Sequence, residues 1–440
     1  MRQPSIKKQE VTALKKIIRQ ILASAVILPA ILTILSGCAQ NNTSPSSEGP
    51  AETPDYILPA AQTERPDADT RNRIEKRCLE ISEIYKDAFL ATQEERAHSD
   101  INVSRITKND RQQITDILLR HDIAVLEPSE YNIDFLRSSD DFSSFWSNVS
   151  KGIDTELETV ALTDDGGFYY QLFISAGGEK YYIFADSIWT TSPEEKFLIE
   201  VQDVTKTRIS NWIYTEKGNF IYNCELPASW ATDGHRIIRI GAPDPQFSQY
   251  EKSYIAPIGY QSNNLFLTDW NEKNLENINF NDLYEHLYRL KEAKDFCADA
   301  FPYDYKTLCS YIPQDEFEIT VKTYFTISAS LLKKTASFDD ARKAYPWQEY
   351  TCSNMCRNPA MYPDVISSKK NEDGTITLTV DVISPEMETD RLFTHKTTVR
   401  PAENGSFKYV ANQTVIYDKS RMPIYYPRIK EQRPEKYKDY

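Results

Sequence analysis

The chain has 440 residues, with 65 acidic against 51 basic side chains and a formal net charge of −14. A surface that acidic disfavours nucleic acid and anionic lipid headgroups, whose recognition runs on lysine and arginine neutralising phosphate. The apolar and aromatic content is ordinary for globular protein, and the length suits two or three domains.

Residues 1–37 read as a signal peptide. Arg2, Lys7, Lys8, Lys15, Lys16 and Arg19 stand against the single acid Glu10, and an apolar run over 21–35 follows. That run is short for a bilayer span, which needs roughly 20 apolar residues, but normal for a cleavable signal. It ends in Leu35-Ser36-Gly37-Cys38, a lipobox, so Cys38 is expected to carry the acyl anchor, palmitate included, and become the mature N-terminus. Removing 1–37 takes the formal charge from −14 to −19. The expected address is the extracytoplasmic face of a cell membrane, with the bilayer itself as one partner.

Residues 38–70 carry Pro45, Pro50, Pro54, Pro59 and Pro66 among polar residues and read as a solvated tether. From Arg71 order is expected. Ile74, Cys78, Ile81, Tyr85 and Phe89 fall on one helical face, and further helices are expected after Thr107 and over 140–149. From Thr155 the period changes to two. Strands are expected over 168–174, 180–189, 196–204, 208–215 and 219–225, with 236–240 a possible addition. Glycine-bearing gaps between them make an antiparallel meander, and aromatics on both faces call for covering layers. Phe280, Leu283, Tyr284, Leu287 and Leu290 mark another helix. This domain is taken as 71–294.

A second domain is taken as 295–418. Phe317, Val321, Tyr324, Ser328 and Leu331 follow one helical spacing, 346–363 reads as irregular, and 375–382 is the clearest strand. Residues 392–400 and 407–412 flank Asn404-Gly405 as a hairpin. Residues 419–440 read as a frayed tail. The fold class expected is α+β: N-terminal helices with an antiparallel meander, then a smaller helix-plus-curved-sheet domain.

Candidate sites are few. Beyond Cys38, the cysteines 297, 309, 352 and 356 could form disulfides in an exported protein. Their spacing lacks the close ligand pairs of a zinc site. The five histidines show no ligand spacing, and His395 reads as a packed sheet residue. Ser330-Leu331-Leu332-Lys333 matches Ser-x-x-Lys but has no downstream Lys-Thr-Gly. No phosphate loop, calcium loop, cofactor motif or metal motif is present. Trp189, Trp230 and Trp270 lie near strand ends or loops and are the candidates for a ligand surface.

The stretches Gly259-Tyr-Gln-Ser-Asn-Asn-Leu-Phe-Leu-Thr-Asp-Trp270, Asp373-Gly-Thr-Ile-Thr-Leu-Thr-Val-Asp381, Phe393-Thr-His-Lys-Thr-Thr-Val-Arg-Pro401 and Gly405-Ser-Phe-Lys-Tyr-Val410 carry a resemblance. The chain resembles, over about 71–415, an uncharacterised lipoprotein family of Clostridia-type Gram-positive bacteria. The resemblance implies the membrane address and transfers no catalytic residue. The function expected is a non-enzymatic envelope lipoprotein binding a ligand or envelope protein. The alternatives are a wall-polymer or glycan hydrolase with a dispersed carboxylate pair, or a tethered accessory subunit of a membrane complex.

Overall fold

The spacing of Ile74, Cys78, Ile81, Tyr85 and Phe89 produces a helix, α1 (Ala68–Ala97), with all five side chains buried. The computed structural model describes residues 63–97, 105–129, 133–191, 197–226, 233–351 and 358–433. These described residues belong to one compact unit. Helix α2 (Lys108–Arg120) starts at a capping box, in which Thr107 and Asp110 satisfy each other's backbone N–H groups. Helix α3 (Ser139–Ser150) buries Phe142 and Phe145.

The first sheet holds β1 (Thr63–Glu64), β2 (Leu126–Glu127), β3 (Phe135–Leu136), β4 (Thr155–Leu162), β5 (Phe168–Ala176), β6 (Glu179–Thr191), β7 (Phe197–Tyr214), β8 (Asn219–Cys224) and β9 (His235–Ile240). Strands β4 to β9 follow one another as the expected antiparallel meander, and β3 then pairs in parallel with β9. The two strands expected over 196–215 are one, β7. Its first part pairs with β6, its last residues pair with β8, and the ladder is irregular between Ile209 and Asn211. A bulge there bends the strand without ending it. A parallel bridge between Val125 and Val160, with Val160 N–H on the Ala124 carbonyl at 2.9 Å, joins the β2 end of the sheet to β4. The sheet therefore closes on itself.

Both faces are covered, as the two-sided aromatic pattern requires. Phe168, Tyr170 and Leu172 of β5 pack with α1 and α2, whereas Phe173 of the same strand packs with Phe142 and Phe145 of α3. The turn before β5 shows why glycine is needed there. Gly166 has φ +91°, an added Cβ would lie 2.8 Å from the Phe89 ring, and its carbonyl accepts both Tyr85 Oη and Trp189 Nε1.

The chain leaves β9 through residues 241–244 and enters a second core. Asp244 caps α4 (Pro245–Tyr250), accepting the Gln246 and Phe247 N–H groups. Then come β10 (Trp270–Asn271), α5 (Phe280–Glu292), β11 (Tyr303–Asp304), β12 (Cys309–Pro313), α6 (Gln314–Tyr324), α7 (Ala329–Thr335) and β13 (Ala344–Trp347). Strands β14 (Tyr362–Lys370), β15 (Ile376–Ile383), β16 (Thr394–Pro401) and β17 (Phe407–Val415) follow. The second sheet runs β10-β17-β16-β15-β14, and β11-β12-β13 form a third. One hydrophobic cluster runs from Ile255 through α5 and α6 to Tyr409. Helix α5, grouped with the meander in the sequence reading, thus shares its core with the C-terminal strands, and the cores divide at 241–244.

The α+β class stands, and several local expectations change. The helix expected through Phe317–Leu331 breaks: Phe325 is extended, and Ser328 Oγ caps a new helix, α7, by accepting Leu331 N–H at 3.2 Å. The stretch around Pro346, read as irregular, is strand β13, where Pro346 sits opposite Tyr311 on an edge strand. Strand β14 was missed because residues 366–370 are exposed on both faces and show no alternation. The tail is not frayed up to Arg433: Arg428 and Ile429 are buried, and Arg433 is nearly so.

Candidate functional site

Two of the three tryptophans expected to form a ligand surface, Trp189 and Trp270, are used for packing. Trp189 stacks on Phe89 at 4.4 Å, and its indole N–H is held by Gly166. Trp270 is buried and donates to the Leu265 carbonyl at 2.8 Å. Trp230, Cys38, Cys352 and Cys356 lie outside the described residues. Cys297 is exposed and Cys309 is buried, and both are free thiols; Cys309 Sγ donates to the Thr307 carbonyl. Ser330 shares a hydrogen bond with Ser328, while Lys333 lies over the Phe338 ring, so the two do not act as a pair. His395 is buried between Tyr260 Oη (2.9 Å) and Thr397 Oγ1 (2.8 Å), and burial pushes its imidazole down to about 3. It is a core histidine.

Carboxylates do converge, at the seam between the two cores. Asp364 on β14 faces Asp381 on β15 across the ladder. Lys217, at the β7–β8 turn, reaches Asp381 and lies 3.7 Å from Asp364, and Arg239 on β9 bonds Asp364 at 2.8 Å. Asp381 also accepts the Thr394 hydroxyl. Beside them Asp390 accepts Asn219 Nδ2 (2.8 Å) and Glu388 accepts Asn211 Nδ2 (2.8 Å). The two opposed acids, which a glycan hydrolase would need free, are each neutralised by a cation from the other core. This arrangement suits holding more than proton transfer.

A second cluster lies on α5. Ser262 has φ +57°, unusual for a residue with a side chain, and its Oγ is 3.2 Å from His286 Nε2. Glu285 approaches the same nitrogen at 3.5 Å and also meets Arg428 at 3.2 Å. A serine–base pair needs the acid on the other ring nitrogen. Burial, then Arg428 and Arg289, push His286 down to about 3, leaving a weak base. Behind it Arg428 is buried against Asp282. Its Nε bonds Asp282 Oδ1 at 3.1 Å, its backbone N–H bonds Oδ2 at 3.0 Å, and Tyr425 Oη also donates to Oδ2. Burial raises the Asp282 carboxyl and Arg428 opposes the rise.

A paired aromatic surface lies elsewhere, on the β11–β12 hairpin. Tyr303, Tyr305 and Leu308 are 48%, 85% and 53% exposed, and the two tyrosine rings meet edge to face at 4.9 Å. The hairpin is braced from below. Arg342 bonds Asp304 (2.5 Å) and Asp339 (2.7 Å) and lies over the Tyr311 ring at 4.2 Å. Asp304 Oδ1 accepts the Lys306 N–H at 2.8 Å. This surface leaves little signature in the sequence, because residues 302–308 carry no period. Their only signal is two tyrosines and a leucine in a stretch too short to make a core element.

Among the described residues no group of three or more His, Cys, Asp or Glu side chains could hold a metal ion, and no helix is long and apolar enough to cross a membrane. A family model described as a family of unknown function (DUF6070) matches residues 71–428. No curated protein and no solved structure matches the chain.

Proposed function

We propose that this chain, which belongs to the DUF6070 family of unknown function, is a lipid-anchored extracytoplasmic protein that binds a ligand or envelope partner and does not transform it. The observation that carries the binding half is the braced hairpin. Tyr303, Tyr305 and Leu308 stand in water on a loop that ion pairs and a stacked guanidinium hold in place. Rigid tyrosines present large amphipathic area at small entropic cost, which suits the apolar face of a sugar ring or of a partner's side chains. The anchor half rests on the lipobox ending at Cys38.

The two halves are tested separately. Tyr303→Ala with Tyr305→Ala should abolish retention on insoluble wall polymer and on immobilised, detergent-solubilised envelope protein, where the acyl anchor has no bilayer to enter, with unfolding unchanged. Retention equal to the unaltered chain on both would remove the hairpin from the proposal. Cys38→Ala should leave unprocessed, unlipidated precursor. Incorporation of labelled palmitate by that variant would sink the anchor reading. The contact between Ser262 and His286 is the one observation favouring a hydrolase instead. A fluorophosphonate probe that labels the native chain and not Ser262→Ala would establish that alternative.

A further inference from the structure

We propose that the protein is a two-lobed hinge, with residues 241–244 as the pivot and the charged seam as a latch. This inference does not rest on the anchor or on the binding surface. Residues up to Ile240 build the clusters on the two faces of the first sheet and residues from Pro245 build those of the other lobe, so the described chain crosses between the lobes once. The crossing is bounded by β9 on one side and the Asp244-capped α4 on the other. At Gly241 φ is +89° and a Cβ there would meet nothing within 4 Å, while its N–H still bonds the Leu136 carbonyl of the first lobe at 2.9 Å, so the free part of the link begins after it.

What holds the lobes together differs from what holds each one. Among the described residues, none of the hydrophobic clusters contains residues of both lobes. No helix or strand of one lobe packs extensively on an element of the other among the described residues. The seam has a polarity of its own. The first lobe contributes Lys217, Arg239, Asn211 and Asn219, all acting as donors. The second contributes Asp364, Asp381, Glu388 and Asp390, all acting as acceptors. A large apolar interface would lock two lobes, whereas a polar one leaves relative motion as the default. Opening gives each of these groups water in exchange for its partner, and for Asp381, with a side chain 2% exposed, it restores hydration of a carboxylate. Lys217 is the catch, since its turn is the point of the first lobe that reaches two acids at once.

Salt should therefore loosen the latch while leaving each core intact. Hydrogen exchange on the full chain, in about 0.01 M and about 1 M salt, spans Debye lengths of about 30 and 3 Å. The expected result is exchange faster by about tenfold at residues 215–219 and 386–394 in high salt, with α1, β5 and α5 unchanged. Lys217→Ala should give the same pattern in low salt, and Lys217→Asp with Asp381→Lys should restore slow exchange. Two results would overturn the hinge: seam amides indifferent to salt in the unaltered chain, or acceleration spread equally through both cores. The salt comparison needs no variant to fold.

Discussion

Arg428→Met is the sharpest test of how the C-terminal lobe is held. Arg428 and Asp282 are both 1% exposed, so the substitution leaves a carboxylate in the core with Tyr425 Oη, the residue 428 N–H and the Asn279-capped helix start as its remaining neighbours. Breaking a buried pair by removing one partner costs about 3–5 kcal/mol, because the other charge stays uncompensated. The loss is a large share of the ~5–15 kcal/mol that holds a domain together. The cost should also depend on pH, and its sign follows from the titration of Asp282. Burial raises the folded-state pKa of this group above the unfolded value, and Arg428 is the first influence opposing that rise. A raised carboxyl lends stability that is present in full below the unfolded pKa and is lost as pH climbs through the folded one. Without Arg428 the folded pKa climbs further, so the deficit of the variant should be small near pH 4 and full near pH 8. Urea unfolding followed by tryptophan fluorescence reads this directly, since Trp347 lies 5.4 Å from the guanidinium. A deficit equal at both pH values would mean that packing around the arginine, and not the abandoned charge, sets the cost.

Three further outcomes are expected. Of the four cysteines among the described residues, the exposed Cys297 should be alkylated first in native protein, while Cys78 and Cys224, buried and pushed up to about 11, should react only on unfolding; mass mapping of alkylated peptides reports the order. His286 and His395, both pushed down to about 3 chiefly by burial, take up protons more readily unfolded than folded; their stability contribution is present above about pH 6.5 and should be lost as pH falls toward 3, and flat imidazole NMR shifts from pH 8 to 5 would confirm their neutral state. Thr107→Ala removes one half of the α2 capping box and should cost about 1 kcal/mol in the first lobe, measurable as a shift of its urea midpoint with an unchanged slope.

The parts of the fold legible in the sequence were those with a strict period. Ile74 to Phe89 kept one helical stripe, and Phe168 to Phe173 kept the two-sided aromatic pattern of a strand with layers on both faces. What escaped were places where a tertiary contact overrides local pattern. The split between α6 and α7 depends on Phe325 turning inward into the core and Ser328 taking over as a cap. Strand β14 has no alternation over its exposed half, so only its ladder to β15 defines it. The lobe boundary was invisible for a related reason: α5 is amphipathic either way, and nothing in its pattern says which sheet it will meet. The candidate surfaces were legible least. Tryptophan is a poor pointer to a ligand surface when, as at Trp189 and Trp270, the indole N–H has a backbone carbonyl to bond and the ring a core to fill. Arg428 reads from sequence as one more cation in a basic tail, and its burial follows only from Asp282, 146 residues away in the chain.

The parallel pairing of β3 with β9 carries a consequence for assembly. Phe135 and Leu136 have their ladder partners at Arg239 and Ile240, the last residues before the crossing to the second lobe. A chain emerging from its N-terminus can form α1, the capped α2 and the β4–β8 hairpins early, since those contacts are with near neighbours. Its first sheet, however, stays open at the β3 edge until residue 240 is out. At that moment every strand partner of the sheet is present, and nothing later in the chain is needed to complete the ring. The first lobe can therefore finish as a sealed unit while the second is still emerging, which removes an exposed strand edge before the β14–β17 strands, its most obvious wrong partners, are free to pair.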